Sequence, residues 1–254
     1  MITDFCNLDC RLCSQGIPLM KNKKIISLDD LKRMSKLVEP FEFHTVKICG
    51  GEPTSHPQFE KICDNLKRLF PADYYYLATN GFWLEKFINQ IKVFNIIELS
   101  HYPGKNDEIF EKLAKLKIPN LAAIRKKEYQ EIMDVYQENN LNKTDIYKRC
   151  PYKEIQIVQD RIYTCCNIFG QAMRQNIDLD KISVLFDENW RQNLSKIDIE
   201  PYCQRCFIDV PGPARVALYE IETGIGRWLK KNFKPLSKLI RWLKIQKRQI
   251  KSNN

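Results

Sequence analysis

Three cysteines close the opening stretch of the chain, Met1-Ile2-Thr3-Asp4-Phe5-Cys6-Asn7-Leu8-Asp9-Cys10-Arg11-Leu12-Cys13, in a Cys-x3-Cys-x2-Cys spacing. Three thiolates this close in sequence can fold around one corner of a cubic iron–sulfur cluster, leaving the fourth iron open to a small chelating molecule. Cys-x2-Cys alone would also suit a zinc site or a redox dithiol. Zinc prefers four closed ligands and the x3 gap is unusual for a zinc knuckle, so the spacing favours an iron–sulfur site.

A second motif follows the predicted strand Phe43–Cys49, where the sequence continues as Gly50-Gly51-Glu52-Pro53-Thr54. Two glycines after a strand let the backbone approach a ligand closely, and Glu52 then places a carboxylate at the carboxyl end of that strand. A tight turn with a surface glutamate is the alternative reading of this motif on its own. Its position one predicted helix behind the cysteine loop favours a ligand site.

Together the two motifs resemble the radical S-adenosylmethionine (radical SAM) superfamily. The resemblance implies that Cys6, Cys10 and Cys13 hold a 4Fe–4S cluster whose open iron takes the amino and carboxylate groups of SAM. It implies that the Gly50–Pro53 motif meets the methionine amino group. The remaining SAM contacts that it implies are Leu12, where the family often has an aromatic residue, and the strand-end residues Thr79, Asn80 and Ser100.

The length of 254 residues allows one large domain, or one large and one small domain. The chain has ten cysteines, no signal-peptide pattern and no apolar run of membrane-spanning length. These features predict a reducing cytoplasm, in which clustered cysteines indicate metal rather than disulfides. Met1–Phe5 is short for an opening barrel strand, so we expect either a stub or a true start further upstream.

Strand and helix patterns alternate along the first part of the chain, which predicts a parallel sheet with its sites at the carboxyl ends of the strands. The resemblance implies an α/β fold with a partial (β/α)6 TIM-like barrel over residues 1–149. The predicted strands are Met1–Phe5, Phe43–Cys49, Tyr74–Thr79, Ile96–Ser100, Leu121–Ile124 and Ile155–Val158. The predicted helices are Leu28–Val38 with Ser27 as N-cap, Phe59–Leu69, Phe82–Phe94, Asn106–Lys117 and Lys126–Gln137.

Five cysteines lie late in the chain, at 150, 165, 166, 203 and 206, and a hairpin-like pattern precedes Cys165. Their order resembles the twitch domain, a shortened SPASM domain, here over residues 150–212. The resemblance implies a second, auxiliary 4Fe–4S cluster on Cys150, Cys165, Cys203 and Cys206. Cys165 is preferred over Cys166 because it directly follows the strand pattern, and the choice between them stays open. A structural zinc site is the alternative for these four cysteines.

The whole build resembles the radical SAM dehydrogenases of aminocyclitol antibiotic pathways. That resemblance implies oxidation of a secondary alcohol on a sugar or cyclitol, with the auxiliary cluster accepting an electron and a flavodoxin- or ferredoxin-like protein as reductant. Tyr102, Arg125 and Arg149 are candidates for the base that takes the hydroxyl proton. The alternatives are a peptide- or protein-modifying maturase, and a non-catalytic iron–sulfur electron carrier, which would not need the Gly50–Pro53 motif.

The three histidines, His44, His56 and His101, have no metal-like spacing, so we interpret them as loop or packing residues. Only His101 lies near the predicted mouth of the barrel. Cys49 and Cys63 occur within apolar elements, and we interpret both as buried small hydrophobic residues. Neither the histidines nor these two cysteines extend the predicted metal sites.

The net charge of +10 lies in the tail, because Thr223–Asn254 contains ten Lys and Arg and no acidic residue, while the rest of the chain is formally neutral. This predicts no nucleic-acid surface on the body. Residues 213–254 are predicted to form a basic helical tail, with an apolar face from Pro235 onward. That face could pack on the barrel or lie on an anionic membrane surface, as a peripheral contact.

Overall fold

The computed structural model describes residues 1–10, 13, 15–102, 104–116, 118, 120–125, 154–203 and 220–221. Four parallel strands form the central sheet in sequence order: β1 (Phe43–Ile48), β2 (Ala72–Thr79), β3 (Ile96–His101) and β4 (Leu121–Arg125). Their carboxyl ends therefore meet at one edge. This arrangement confirms the α/β class and the parallel sheet of the predicted partial barrel.

Helix α1 (Leu28–Val38) precedes β1, α2 (Phe59–Leu69) connects β1 to β2, and α3 (Asp107–Lys115) connects β3 to β4. The predicted N-cap Ser27 begins α1 and forms a capping box, since the Ser27 Oγ accepts from the Asp30 N–H at 3.1 Å and the Asp30 carboxylate accepts from the Ser27 N–H at 3.1 Å. The predicted bounds of α1 and α2 are confirmed, while α3 is shorter than the predicted Asn106–Lys117.

The main core lies between one face of the sheet and these helices. Alternate residues of each strand enter it, as the period of two requires. Its members in β1, β2, β3 and β4 are Ile48, Tyr75, Leu77, Ile97, Leu99 and Leu121, and the helices contribute Leu31, Met34, Phe59, Ile62, Leu66, Phe110 and Leu113. The opposite face of the sheet carries the intervening residues, several of them polar.

The segment Phe82–Phe94 is not the single helix that the sequence predicts. It forms two short 3-10 turns, Leu84–Phe87 and Gln90–Val93, which bury Leu84 and Ile91. Aromatic and β-branched residues dominate the segment, and both groups lose side-chain freedom in an α-helix. Neither turn has a side-chain cap, so local propensity does not support a long helix there.

A second, antiparallel sheet contains β5 (Gln156–Val158), β6 (Arg161–Tyr163) and β7 (Ser183–Leu185). It is accompanied by α4 (Cys166–Gln175), α5 (Trp190–Leu194) and α6 (Glu200–Cys203). The predicted hairpin before Cys165 is thus confirmed. The prediction that Ile155–Val158 is a sixth barrel strand is wrong, because β5 pairs with β6 in this separate sheet and Gln159, with φ 57°, makes the tight turn between them.

A short strand, β8 (Glu220–Ile221), pairs antiparallel with β4. It is the only described part of the predicted tail, so the helix predicted from Pro235 onward lies outside the described residues, as does the helix predicted over Lys126–Gln137. None of the helices within the described ranges has both the length and the apolar composition needed to cross a membrane.

His56 is a packing residue, as the sequence predicts. Its Nδ1 accepts from the Gln58 N–H at 2.9 Å, so the proton is on Nε2, which donates to the Ile26 carbonyl oxygen at 2.8 Å. The ring is 2% exposed, and burial lowers the pKa of His56 from its ordinary value of 6.5. The neutral ring thus joins the chain ahead of α1 to the turn that follows Glu52.

We expect His56→Gln to flatten the dependence of stability on pH below neutrality. Because the folded-state pKa is lowered, the contribution of His56 is complete above pH 6.5 and declines as the pH falls from there toward the folded-state value. Urea unfolding at several pH values between about 5 and 7.5 measures the slope. Equal slopes for the wild type and the variant would contradict the assignment.

Candidate active site

The predicted strand Met1–Phe5 is not a strand of the central sheet. This amino-terminal segment lies beside the residues that follow β1. Within the described ranges, its β-ladder contact is an isolated bridge between Thr3 and Ile25. Three backbone hydrogen bonds also join it to the Gly-Gly-Glu motif and to the residue before that motif. These bonds run from Ile2 N to Cys49 O at 2.9 Å, from Gly51 N to Thr3 O at 2.8 Å and from Glu52 N to Phe5 O at 2.7 Å. They place the cysteine loop directly against the Glu52 motif.

Gly50 and Gly51 are required for this close approach. A Cβ on Gly50 would lie 2.5 Å from Thr3 O, and one on Gly51 would lie 2.1 Å from Phe5 O. The missing Cβ atoms therefore make room for this chain's own amino-terminal segment, whereas the sequence predicts room for a ligand. The two glycines bring the cysteine loop and the carboxylate together, which positions both for a shared ligand.

Glu52 is fully buried between β1 and β2. Its Oε1 accepts from Thr54 N at 3.0 Å, Thr54 Oγ1 at 2.5 Å and Thr79 Oγ1 at 2.6 Å, and its Oε2 accepts from Asn80 N at 2.6 Å. Burial raises the pKa of Glu52, while these four donors oppose that effect. Pro53, also buried, begins the 3-10 turn Pro53–Ser55 that brings Thr54 back to the carboxylate.

Asn80 connects the end of β2 to the cysteine loop. Its Nδ2 donates to Asn7 Oδ1 at 2.9 Å and lies 3.8 Å from the Cys6 sulfur. Its backbone N–H holds Glu52, so one residue contacts both predicted motifs. The structure thus brings together Cys6, Glu52, Thr79 and Asn80, all of which the sequence predicts as site residues.

Asn106 is a structural contributor that sequence reasoning missed. It is 2% exposed, and its Nδ2 donates to Asn80 O and to Ser100 O, both at 2.9 Å, while its Oδ1 accepts from Tyr102 N at 2.7 Å. It therefore joins the carboxyl ends of β2 and β3. An asparagine just before a helix reads as a cap, so the sequence gives no sign of this role.

The three motif cysteines are free thiols in one loop, where Cys13 N donates to Cys10 O at 3.0 Å and Leu8 N donates to the Cys6 sulfur at 3.4 Å. Burial, opposed by the hydrogen bond from Leu8 N and reinforced by charge repulsion from Glu52, Cys13 and Cys10, raises the pKa of Cys6 to about 12. Burial also raises the pKa of Cys10, partly offset by Lys105. Thiolates here need a cation, which the irons of a cluster supply.

These observations fit a 4Fe–4S cluster better than a single metal ion. No three His, Cys, Asp or Glu side chains among the described residues converge on one ion position. A cubic cluster is wider than an ion and binds each cysteine at a separate corner. Lys105, which sequence reasoning missed, donates from Nζ to Asp9 O at 2.8 Å and brings positive charge to the loop.

The second sheet and α4 hold this loop from the other side. Arg174 of α4 donates through Nη2 to the Cys13 carbonyl oxygen, and Gln159 Nε2 donates to Asp4 Oδ2 at 2.6 Å. Gly16, with φ 63°, packs so closely on α4 that a Cβ there would lie 2.7 Å from Met173 Cβ. The late part of the chain therefore contacts the loop that carries the first three cysteines.

Cys165 and Cys203 lie on elements that pack against each other. The Cys165 sulfur accepts from Asn167 N at 3.3 Å as the N-cap of α4, and Cys203 ends α6. Gln171 of α4 donates to Tyr202 O at 3.3 Å, and Tyr202 packs on the small core around Phe169. Both cysteines are half-buried.

Several predicted residues fall outside the described part of the chain, namely Leu12, Arg149, Cys150 and Cys206, as do the side chains of Arg125 and Cys166. Ser100 is described, and its hydroxyl donates to Glu98 Oε1 at 3.3 Å. His101 faces α3, where its ring stacks on Phe110 at 4.2 Å, so it is a packing residue and does not face the site. Cys63 is buried, but the interpretation of Cys49 as buried is wrong, since it is half-buried at the end of β1.

The Radical SAM superfamily model matches residues 1–147, more than half of the chain, and the chain therefore belongs to the radical SAM superfamily. Its relatives include the mitochondrial GTP 3′,8-cyclase of Arabidopsis thaliana, 30% identical over 93 residues, or 36% of this chain and 24% of that protein. The probable GTP 3′,8-cyclase of Methanococcus maripaludis strain C6 is 34% identical over 91 residues, or 36% of this chain and 30% of that protein. The matched stretch spans less than a third of either relative.

A solved structure, that of BtrN in complex with AdoMet and 2-DOIA, has the same fold with a TM-score of 0.57. It is 14% identical and covers 85% of this chain and 88% of the other. Membership of the superfamily implies a 4Fe–4S cluster and SAM. The three loop thiols, of which Cys10 is buried and Cys6 and Cys13 are half-buried, and the adjoining Glu52 and Asn80 fit these groups.

Proposed function

We propose that this chain is a radical SAM oxidoreductase that oxidises an alcohol on a sugar or cyclitol, with a second 4Fe–4S cluster in a twitch-like unit over residues 150–212. The observation that carries the second cluster is the packing of Cys165 and Cys203 on adjoining elements behind the β5–β6 hairpin. Cys150 and Cys206 complete the proposed ligand set. The N-cap position of Cys165, at the positive end of α4, favours its thiolate and supports it over Cys166.

When bound, the first cluster and SAM supply a 5′-deoxyadenosyl radical that takes a hydrogen atom from the substrate, and the auxiliary cluster supplies an electron acceptor. The chain's own residues bind the cluster and SAM and orient them. Cys6, Cys10 and Cys13 hold the first cluster, and the Gly50–Pro53 motif receives the SAM amino group beside it. Glu52 suits that contact because a cation would lower the free energy of its buried carboxylate. Thr79, Asn80, Ser100 and Leu12 complete the proposed SAM site.

The extent of the structural similarity to BtrN supports a small polar substrate. BtrN, bound to AdoMet and 2-DOIA, matches over 85% of this chain, including the late part beyond the matched radical SAM segment. Tyr102, Arg125 and Arg149 remain the candidates for the base that takes the hydroxyl proton. Tyr102 follows directly after β3, at the edge where the strands end.

A GTP cyclisation is the second candidate, because the sequence relatives named above are GTP 3′,8-cyclases. The shared stretch is confined to 36% of this chain, so it supports the common radical SAM chemistry more than the substrate. A peptide-modifying maturase and a plain electron carrier are weaker candidates. A carrier has no use for the buried Glu52 network, and no peptide-recognition domain is evident in the sequence.

The test is turnover by the anaerobically reconstituted full chain with SAM and either dithionite or reduced flavodoxin. We expect about eight irons per chain and 5′-deoxyadenosine formed together with an oxidised cyclitol or sugar. A cyclised GTP product would favour the second candidate. About four irons with zinc retained would reject the auxiliary cluster.

Removal of the auxiliary cysteine ligands should separate reductive cleavage of SAM from formation of the oxidised product. We expect Cys203→Ala with Cys206→Ala to retain reductive SAM cleavage and to lose formation of the oxidised product, because the electron acceptor is gone. Liquid chromatography with mass spectrometry measures both products. Normal product formation by the double variant would contradict the electron-acceptor role.

The basic tail over 213–254 has two candidate roles in a cytoplasmic protein: its apolar face packs on the barrel, or the tail makes a peripheral contact with an anionic membrane. Each Lys or Arg near such a surface contributes about 1 kcal/mol, and salt screens it. We expect the full chain to float with anionic liposomes at low salt and a chain lacking residues 224–254 to remain soluble. If neither form floats, the tail packs on the protein instead.

A further inference from the structure

Glu98 is a buried carboxylate that is not itself among the proposed cofactor contacts. It lies in β3 between Ile97 and Leu99, which both enter the core against the helices, so its side chain lies on the opposite, inner face of the sheet. It is 8% exposed. Ser100, two residues on, is on the same face and donates its hydroxyl to Glu98 Oε1 at 3.3 Å.

Tyr76 of β2 brings a second donor to the same carboxylate. Its neighbours Tyr75 and Leu77 are core residues, so Tyr76 also lies on the inner face, and its hydroxyl donates to Glu98 Oε2. The ring of Tyr76 is covered by the ammonium group of Lys47, at 4.7 Å from its centroid. Three neighbouring strands thus contribute polar side chains to one patch, and we name Tyr76, Glu98 and Ser100 the inner-face triad.

The triad combines a buried carboxylate with two hydroxyl donors on the inner face of the sheet. A carboxylate removed from water is costly to the folded state, and an apolar side chain at position 98 would extend the inner face without that cost. Buried acids with polar partners cluster at functional sites. The triad also reaches the carboxyl end of β3 at Ser100, in the interior where (β/α) barrels face their substrates.

We propose that the inner-face triad is a substrate-binding site in which Glu98 accepts hydrogen bonds from a hydroxyl or ammonium group of a polyol-type substrate. This inference rests on the proposed function and specifies which residues recognise the substrate. An ionised carboxylate only accepts, so it pairs with donors and repels phosphate and carboxylate groups. Tyr76 and Ser100 hold its two oxygens in place and are positioning residues.

The test measures binding without turnover, so that it is independent of the oxidation. The full chain, reconstituted with iron and sulfide and saturated with SAM but kept without reductant, is titrated calorimetrically with three probes. They are 2-deoxystreptamine, which carries ammonium and hydroxyl groups, myo-inositol, which carries hydroxyls alone, and GTP. The variants are Glu98→Gln and Tyr76→Phe, with Glu108→Gln as a matched control at an exposed position of α3.

We expect the wild type to bind 2-deoxystreptamine or myo-inositol and Glu98→Gln to weaken that binding about 10- to 100-fold. The loss should be larger for the ammonium probe, because a charged pair is lost. Tyr76→Phe should weaken binding about three- to tenfold, and Glu108→Gln should leave it unchanged. SAM binding should be equal in all four proteins, which shows that the variants fold.

Three results would overturn the site: no binding of either polyol to the wild type, equal binding by Glu98→Gln, or GTP binding that requires Glu98. The experiment distinguishes failure of the proposed binding site from failure of the proposed oxidation. Polyol binding that depends on Glu98, without any oxidised product under reducing conditions, would reject the oxidation and retain the site. Oxidation of a polyol that is unaffected by Glu98→Gln would reject the site and retain the function.

Discussion

Replacing Cys6, Cys10 and Cys13 with Ala is expected to abolish reductive cleavage of SAM, with a fall of at least about a thousandfold in 5′-deoxyadenosine formation. The three thiols share one loop, and burial already raises the pKa of Cys6 to about 12 without a metal. Sulfurs in such surroundings are held as thiolates only by the positive irons. Without them SAM has no electron donor.

The measurement is product formation by the reconstituted protein with dithionite, together with iron content. The triple variant should keep about half of the wild-type iron, because the auxiliary site remains. Cys63→Ala is the matched control, since it removes a buried thiol of α2 that lies in the apolar core. Wild-type cleavage by the triple variant, or loss of cleavage in the control alone, would contradict the ligand assignment.

The sequence predicts the parts of the fold that local rules determine. The bounds of α1 and α2 follow from their apolar periodicity and, for α1, from the Ser27 capping box. The parallel strands follow from their alternation with helices. The meeting of Cys6 and Glu52 follows from superfamily resemblance, and the structure supplies the backbone bonds that bring the two motifs together.

The remaining features depend on contacts distant in sequence, which no local pattern encodes. Asn106 looks like a helix cap but joins two strand ends. Glu98 interrupts an apolar strand, and only the pairing of β2 with β3 shows that Tyr76 is beside it. His101 follows a strand end, as site residues do, yet it stacks on Phe110 of α3. The sequence of β5 is typical of a barrel strand, but β5 pairs with β6 in the separate antiparallel sheet.

The glycine motif is a further case in which a contact distant in sequence cannot be predicted from the local pattern. In sequence, Gly50 and Gly51 imply a ligand that approaches the backbone. In the structure, the approaching group is the chain itself, at Thr3 and Phe5. The functional expectation for the motif and the structural reason for its glycines are therefore separate, and they can be tested separately.

We expect Gly51→Ala to destabilise the protein by about 3 kcal/mol or more and to lower the iron loaded at the first site. The added Cβ would lie 2.1 Å from Phe5 O and 2.5 Å from the Phe5 carbonyl carbon, and both are backbone atoms that no rotamer change can move. Relief requires the Thr3–Phe5 segment to move away, which breaks the 2.7 Å bond from Glu52 N to Phe5 O. Cys6 follows directly and moves with it.

Gly104→Ala provides the control for this prediction. Gly104 has φ 76°, and no described residue beyond its chain neighbours has an atom within 4 Å of an added Cβ, so backbone strain is the expected cost of the change, at about 1 kcal/mol. Urea unfolding of the two variants and iron content after reconstitution measure the difference. Gly51→Ala should unfold at much lower urea and lose cluster absorbance, while Gly104→Ala keeps its iron. Equal stability and iron in both variants would show that the amino-terminal segment does not need the missing Cβ of Gly51.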